Sequence, residues 1–131
     1  MTAAQILDRL RETAPDVAFS VATQPDHDFR WDGDGPDPAE DGFTACDVDV
    51  TATVVTGGRL ISEVASMGGH YTRADRPDDD LGGYLPQMLR DAADGLLRQI
   101  GDHTARPGLA AASAFLKDEM RRRYDEQRSI A

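Results

Sequence analysis

With 131 residues, a formal net charge of −10 and 29% charged side chains, the chain reads as one acidic domain that can bury roughly two-thirds of the surface its unfolded form exposes. The acidity argues against direct contact with nucleic acid or anionic lipid, which requires a surface that displaces counterions from phosphates, and it favours basic partners. Cys46 is the only cysteine, which excludes an internal disulfide framework, and no positively led apolar leader or membrane-length apolar stretch occurs, so a cytoplasmic protein without membrane contact is expected.

Thr2 and Gln5 have the spacing of a capping box, and Ile6, Leu7 and Leu10 follow at helical spacing up to Ala14-Pro15, which predicts a first helix over residues 3–13. Val17, Phe19 and Val21 alternate with smaller residues in the period of a half-buried strand, which Pro25 ends. An acidic loop rich in proline and glycine occupies residues 24–43. After it, Cys46, Val48, Val50, Ala52 and Val54 share one strand face, with Asp47, Asp49, Thr51 and Thr53 on the other. Thr56-Gly57-Gly58-Arg59 supplies two residues free to take positive φ, so a tight hairpin leads into a third strand over about residues 60–67. A two-residue loop sets Val54 opposite Ile61 and Val50 opposite Ala65. It also brings Glu63 onto the apolar face beside Ala52, which demands either a marginal position with a partner or a longer turn.

A second polar loop over 72–81 precedes a helical stripe that includes Leu81, Leu85, Met88, Leu89, Ala92, Leu96 and Ile100, with Asp80 or a neighbour as N-cap, Pro86 in the first turn and Gly101 as the C′ residue. Arg106-Pro107-Gly108 opens a last helix with the face Leu109, Ala112, Phe115, Leu116 and Met120, and residues 122–131 read as a frayed polar tail. The expected fold is therefore a single α+β domain over residues 1–131. A three-stranded antiparallel sheet has helices packed on one face, in the order α-β-β-β-α-α. This order resembles that of double-stranded RNA-binding domains. Asp78-Asp79-Asp80 stands where those domains start a helix with basic residues against phosphates, so the resemblance extends to topology and implies no activity.

Motifs that carry chemistry are absent. Asp32-Gly33-Asp34-Gly35-Pro36-Asp37 alternates carboxylates with glycine as a cation-binding loop does. The EF-hand register fails, however, because Pro36 and Asp37 fall at its fifth and sixth positions and Phe43 at its twelfth. His27, His70 and His103 match no short metal motif, and neither a Gly-x-Ser-x-Gly elbow nor a His-Glu-x-x-His helix occurs. Carboxylate pairs for acid-base work need one desolvated member, whereas these acids lie in polar sequence. No enzyme, cofactor or metal is expected.

What stands out is charge placement. Between Thr23 and Val50 nine acids face a single base, Arg30. Asp47 and Asp49 on one strand face lie about 6.6 Å apart along the chain, and the preceding loop adds carboxylates held by prolines, so a row of negative charge is displayed as a phosphate strand displays it. The expected surface comprises Asp26, Asp28, Asp32, Asp34, Asp37, Glu40, Asp41, Asp47 and Asp49, with Asp78, Asp79 and Asp80 as a second patch and Phe29 and Trp31 as exposed apolar anchors. The function this points to is a non-enzymatic binding or inhibitor protein that engages a basic protein surface. In its sharpest form it is a nucleic-acid mimic of the type that phages and mobile elements carry against CRISPR or restriction complexes. Two alternatives are a divalent-cation-binding or hydrolytic domain using Asp32 to Asp37, and a small structural subunit of an obligate homo- or hetero-oligomer, a homodimer among them, assembled through the alanine-rich last helix. Thirteen of the fourteen bases are arginine and nineteen of the twenty-four acids are aspartate, a skew that codon composition or a salty cytoplasm produces without any partner.

Overall fold

The computed structural model describes residues 2–56, 58–72, 83–100 and 107–130. Their order is α1 (Ala3–Thr13), β1 (Val17–Pro25), a 3-10 turn (Pro38–Asp41), β2 (Thr44–Thr56), β3 (Arg59–Thr72), α2 (Leu85–Ile100) and α3 (Pro107–Ile130). The strands form one antiparallel sheet in the order β1-β2-β3, so the expected α+β architecture and its element order are those of the protein. The proposed Asp80 cap, the Gly101 C′ position and the patch Asp78, Asp79 and Asp80 lie outside the described residues.

Local sequence accounts for the element ends. Thr2 Oγ1 accepts from the Gln5 backbone N–H at 3.2 Å while Gln5 Oε1 accepts from the Thr2 N–H at 2.8 Å, so both halves of the capping box are closed and two otherwise unpaired donors of α1 are satisfied. Pro86, the second residue of α2, needs no intrahelical N–H partner there. At the other end of the chain α3 continues as helix to Ile130, past the predicted start of a polar tail. Arg122 bridges Glu119 and Glu126, one turn back and one turn on, which supports the helix across that boundary.

The core forms where the apolar faces of sheet and helices meet. Val48, Val50, Ala52 and Val54 of β2 are buried against Ile6 and Leu10 of α1, Leu89 and Leu96 of α2, and Leu109 and Leu116 of α3. Each such side chain contributes about 1.5–3 kcal/mol on removal from water. Central β2 is thus the hydrophobic spine, and Ala112 with Ala92 and Ala93 lets α3 and α2 approach closely. Leu109, Ala112 and Leu116 are consumed by this internal packing, which leaves only the outer face of α3 for contact with another copy. No helix of the described residues is long and apolar enough to cross a membrane.

The hairpin has the two-residue loop, with Thr56 opposite Arg59, Val54 opposite Ile61 and Val50 opposite Ala65. Glu63 does lie on the helix-covered face opposite Ala52. It is accommodated because α2 presents Gly95 there and Gln99 Nε2 donates both to the Glu63 carboxylate and, at 2.9 Å, to the Ser62 carbonyl. The partner that the sequence pattern demanded is therefore a glutamine one turn along the same helix.

Candidate functional site

The acidic loop leaves β1 at Pro25 and re-enters the sheet at Thr44, so its base is fixed by the first two strands. Asp26 N–H donates to the Ala45 carbonyl at 2.9 Å, and Asp26 Oδ1 accepts from the Asp28 N–H at 3.1 Å, which turns the chain away from the sheet. Trp31 Nε1 donates to the Gly35 carbonyl at 3.3 Å, closing the tip. Asp37 then caps the 3-10 turn by accepting from the Ala39 N–H at 2.9 Å, and Gly42 ends it in a left-handed conformation. The loop is thus built from its own hydrogen bonds.

A bulge determines what the loop rests on. Cys46 pairs with His70 and Val48 with Met67, so Asp47 alone stands opposite Gly68 and Gly69. The extra residue inverts the alternation of β3 beyond it. Tyr71 would otherwise share the helix-covered face with Ile61 and Ala65; instead it pairs with Ala45 on the opposite face. There Phe29 and Trp31 pack edge-on against its ring, with centroid distances of 5.8 and 5.9 Å. Gly69 has φ +66°, and a Cβ on it would stand 2.7 Å from Phe29 Cε2, so both backbone and space require glycine. Phe29 and Trp31 are in consequence half-buried braces of the loop, not the fully exposed anchors expected. Tyr71 is the residue that sequence reasoning missed; its only signal was its place after a glycine pair at a strand end.

The carboxylates divide into two groups. Asp26 and Asp37 hold turns, and Asp49 accepts from Ser66 Oγ across the β2–β3 pair at 2.6 Å. Asp28, Asp32, Asp34, Glu40, Asp41 and Asp47 are exposed and join no base among the described residues. Arg30, the single base of the segment, is exposed and makes no ion pair among the described residues. Four arginines of the helices pair along their own helices instead, Arg11 with Asp8, Arg90 with Asp94, and Arg122 and Arg123 with Glu119. Among the described residues negative charge therefore accumulates at one end of the sheet without a base paired to it. Its reach is visible at Tyr71, whose hydroxyl is held above its ordinary value by burial and then by the carboxylates of Asp37 and Asp32.

Other chemistry is sparse. Among the described residues no three His, Cys, Asp or Glu side chains converge to hold a metal ion. Cys46 is buried, with its thiol 3.7 Å from the Thr44 carbonyl, and is not presented to solvent as a nucleophile would be. Compared with models of known families, with curated proteins and with solved structures, the chain gives no significant match.

Proposed function

We propose that the protein is a non-enzymatic binding protein whose acidic loop, with Asp47 on the adjoining strand, occupies a basic surface of another protein, in the manner of a nucleic-acid mimic. The observation that carries this is the separation of charge: Asp28, Asp32, Asp34, Glu40, Asp41 and Asp47 stand exposed and join no base among the described residues, while Arg11, Arg90, Arg122 and Arg123 pair along their own helices. A chain that merely tolerated acidic residues would gain from interspersing the two signs, whereas uncompensated charge repels itself and is maintained at some cost to stability.

Preorganisation supports the same reading. The turns at Asp26 and Asp37, the Trp31–Gly35 hydrogen bond and the packing on Tyr71 fix the loop before any partner arrives. Binding then forfeits little conformational entropy, which would otherwise consume about 0.5–1.5 kcal/mol for each rotamer-rich side chain ordered. A basic partner of the kind that normally holds nucleic acid would meet a rigid array of carboxylates in place of phosphates. The test is affinity capture from nuclease-treated lysate with Asp28, Asp32 and Asp34 intact or changed to asparagine. These three positions are exposed and hold no turn through their side chains.

A further inference from the structure

Among the described residues the sheet has two edges, β1 and β3, and they differ. An open edge offers backbone N–H and C=O groups to any strand that can pair with them, so edges are ordinarily interrupted by charge, a bulge or a covering side chain. β3 has all three: Arg59 and Glu63 lie along it, a bulge breaks its register at Gly68 and Gly69, and Gln99 of α2 donates to the outward Ser62 carbonyl at 2.9 Å. β1 is bare by comparison. Its nine residues, Val17–Pro25, carry no charge in a chain whose net charge is −10, and their register with β2 is unbroken.

The phase of the hydrogen bonds fixes which groups are open. Asp26 N–H donates to the Ala45 carbonyl in the register of the strand pair, so the even-numbered residues of β1 turn their backbone groups to β2. Phe19, Val21 and Thr23 turn theirs outward, where no described strand meets them. Their side chains stand on the helix-covered face, opposite Ala52, Val50 and Val48, yet Val21 is 37% exposed, so the helices leave that margin partly uncovered.

We propose that β1 pairs antiparallel with β1 of a second copy of the chain, about a twofold axis through Ser20 normal to the sheet, so that the two sheets become one. The strand's own pattern selects this occupant. About Ser20 the sequence matches its reverse in residue size: Phe19 meets Val21 of the other copy on the helix side, and Ala18 meets Ala22 on the open side. An aromatic ring thus faces a β-branched side chain twice, a pairing that stabilises sheets, while Phe19 and Val21 exchange their outward N–H and C=O groups. Such self-complementarity is what an isologous contact requires. Charge favours the same arrangement, because antiparallel pairing sends the acidic loops to opposite ends. The two Pro25 residues, where those loops begin, lie about 34 Å apart along the strands. Asp49, level with Ala22, lies about 20 Å from its copy across the intervening strands. Both separations exceed two Debye lengths of about 8 Å at physiological ionic strength.

Sedimentation of the full chain from roughly 1 μM to 1 mM, joined to amide hydrogen exchange over the same range, reads the contact. The weight-average mass should climb toward twice that of the monomer, and exchange of the Phe19, Val21 and Thr23 amide protons should slow as it does. Val21→Pro removes an outward N–H that the pairing with β2 does not use, at an edge position where proline is tolerated. It should leave the fold intact and raise the dissociation constant about tenfold or more. If that variant fails to fold, exchange in the natural chain still decides. A monomer at every concentration, which leaves the edge to a strand of some other protein, overturns the proposal. So does a dimer in which those three amides exchange as fast as in the monomer, or one that folded Val21→Pro forms equally well.

Discussion

Glu63 of β3 lies in a notch left by Gly95 of α2: a Cβ on Gly95 would stand 2.7 Å from Glu63 Cδ. The relationship explains how a charged residue is tolerated on the covered sheet face. Gly95 yields the space for the stem, and Gln99 donates to the carboxylate at the margin of the helix.

Replacing Gly95 by alanine should accordingly fail to stabilise the protein. In an open helix interior the change is worth about 1 kcal/mol, but here the new methyl displaces Glu63 and its bond to Gln99. In a Glu63→Ala background the space is vacant and the same substitution should recover that gain. Urea unfolding of the four proteins in a double-mutant cycle measures the coupling; a full gain from Gly95→Ala in the otherwise unchanged chain would refute the packing described.

Gly69→Ala should be costly for two reasons. Its φ of +66° lies in the left-handed region, and the methyl would meet the Phe29 ring. Strain alone accounts for about 1–2 kcal/mol, and the collision should also release the loop from Tyr71. Trp31 is the only tryptophan, so its emission and near-ultraviolet dichroism report the loop directly. A spectrum unchanged by Gly69→Ala would mean that the brace is elsewhere.

Tyr71 should titrate above the ordinary tyrosine value because of burial and the nearby carboxylates of Asp37 and Asp32. A group raised in the folded state stabilises the fold below its unfolded value and loses that contribution as pH rises through the folded one. Absorbance titration of the native protein should therefore show a late tyrosine step above about pH 10 that vanishes in Tyr71→Phe. Asp32→Asn should bring the step to lower pH. If Asp32→Asn left it in place, the carboxylate would not lie near the ring.

Glu119 provides an acid-side counterpart. Burial raises its carboxyl value, but hydrogen bonds and charge from Arg122 and Arg123 outweigh that, and the folded value is lowered. Such a carboxylate stabilises the fold above its unfolded value and stops doing so as pH falls through the folded one. Glu119→Gln should cost about 1.5–3 kcal/mol near neutrality, the range for a hydrogen bond to a charged group, here between a buried carboxylate and partly exposed arginines. Its stability should also fall less steeply than that of the parent between roughly pH 5 and pH 3. Parallel pH profiles would rule out the assigned role.

The strands, the hairpin register and the helix faces were readable because each rests on local periodicity: Val48 to Val54 alternate, and Leu85 to Leu96 recur at helical spacing. Glu63 was readable only as a conflict. Its resolution depends on Gly95, thirty-two residues away in sequence, and no local pattern links the two. The site was legible in its charges and opaque in its support. Phe29 and Trp31 looked exposed because their neighbours are acidic, whereas a single extra residue at Gly68-Gly69 turns Tyr71 toward them. A bulge of that kind leaves no signature beyond the glycine pair. The split among the aspartates, with Asp26 and Asp37 holding turns while Asp28, Asp32 and Asp34 join no base among the described residues, likewise follows from backbone geometry rather than composition.

Whether the exposed carboxylates exist to meet cations on another protein is decided by capture from nuclease-treated lysate with two baits, the natural chain and the triple variant Asp28→Asn, Asp32→Asn, Asp34→Asn. Trp31 emission serves as the check that both are folded. The natural chain should retain a basic protein at roughly 50 mM salt and release it at roughly 500 mM, where the Debye length shrinks from more than 10 Å to less than 5 Å. Duplex DNA should displace that protein, and the variant should not retain it. Equal retention by both baits, undiminished by salt or by DNA, would show that the acidic loop is not the binding surface.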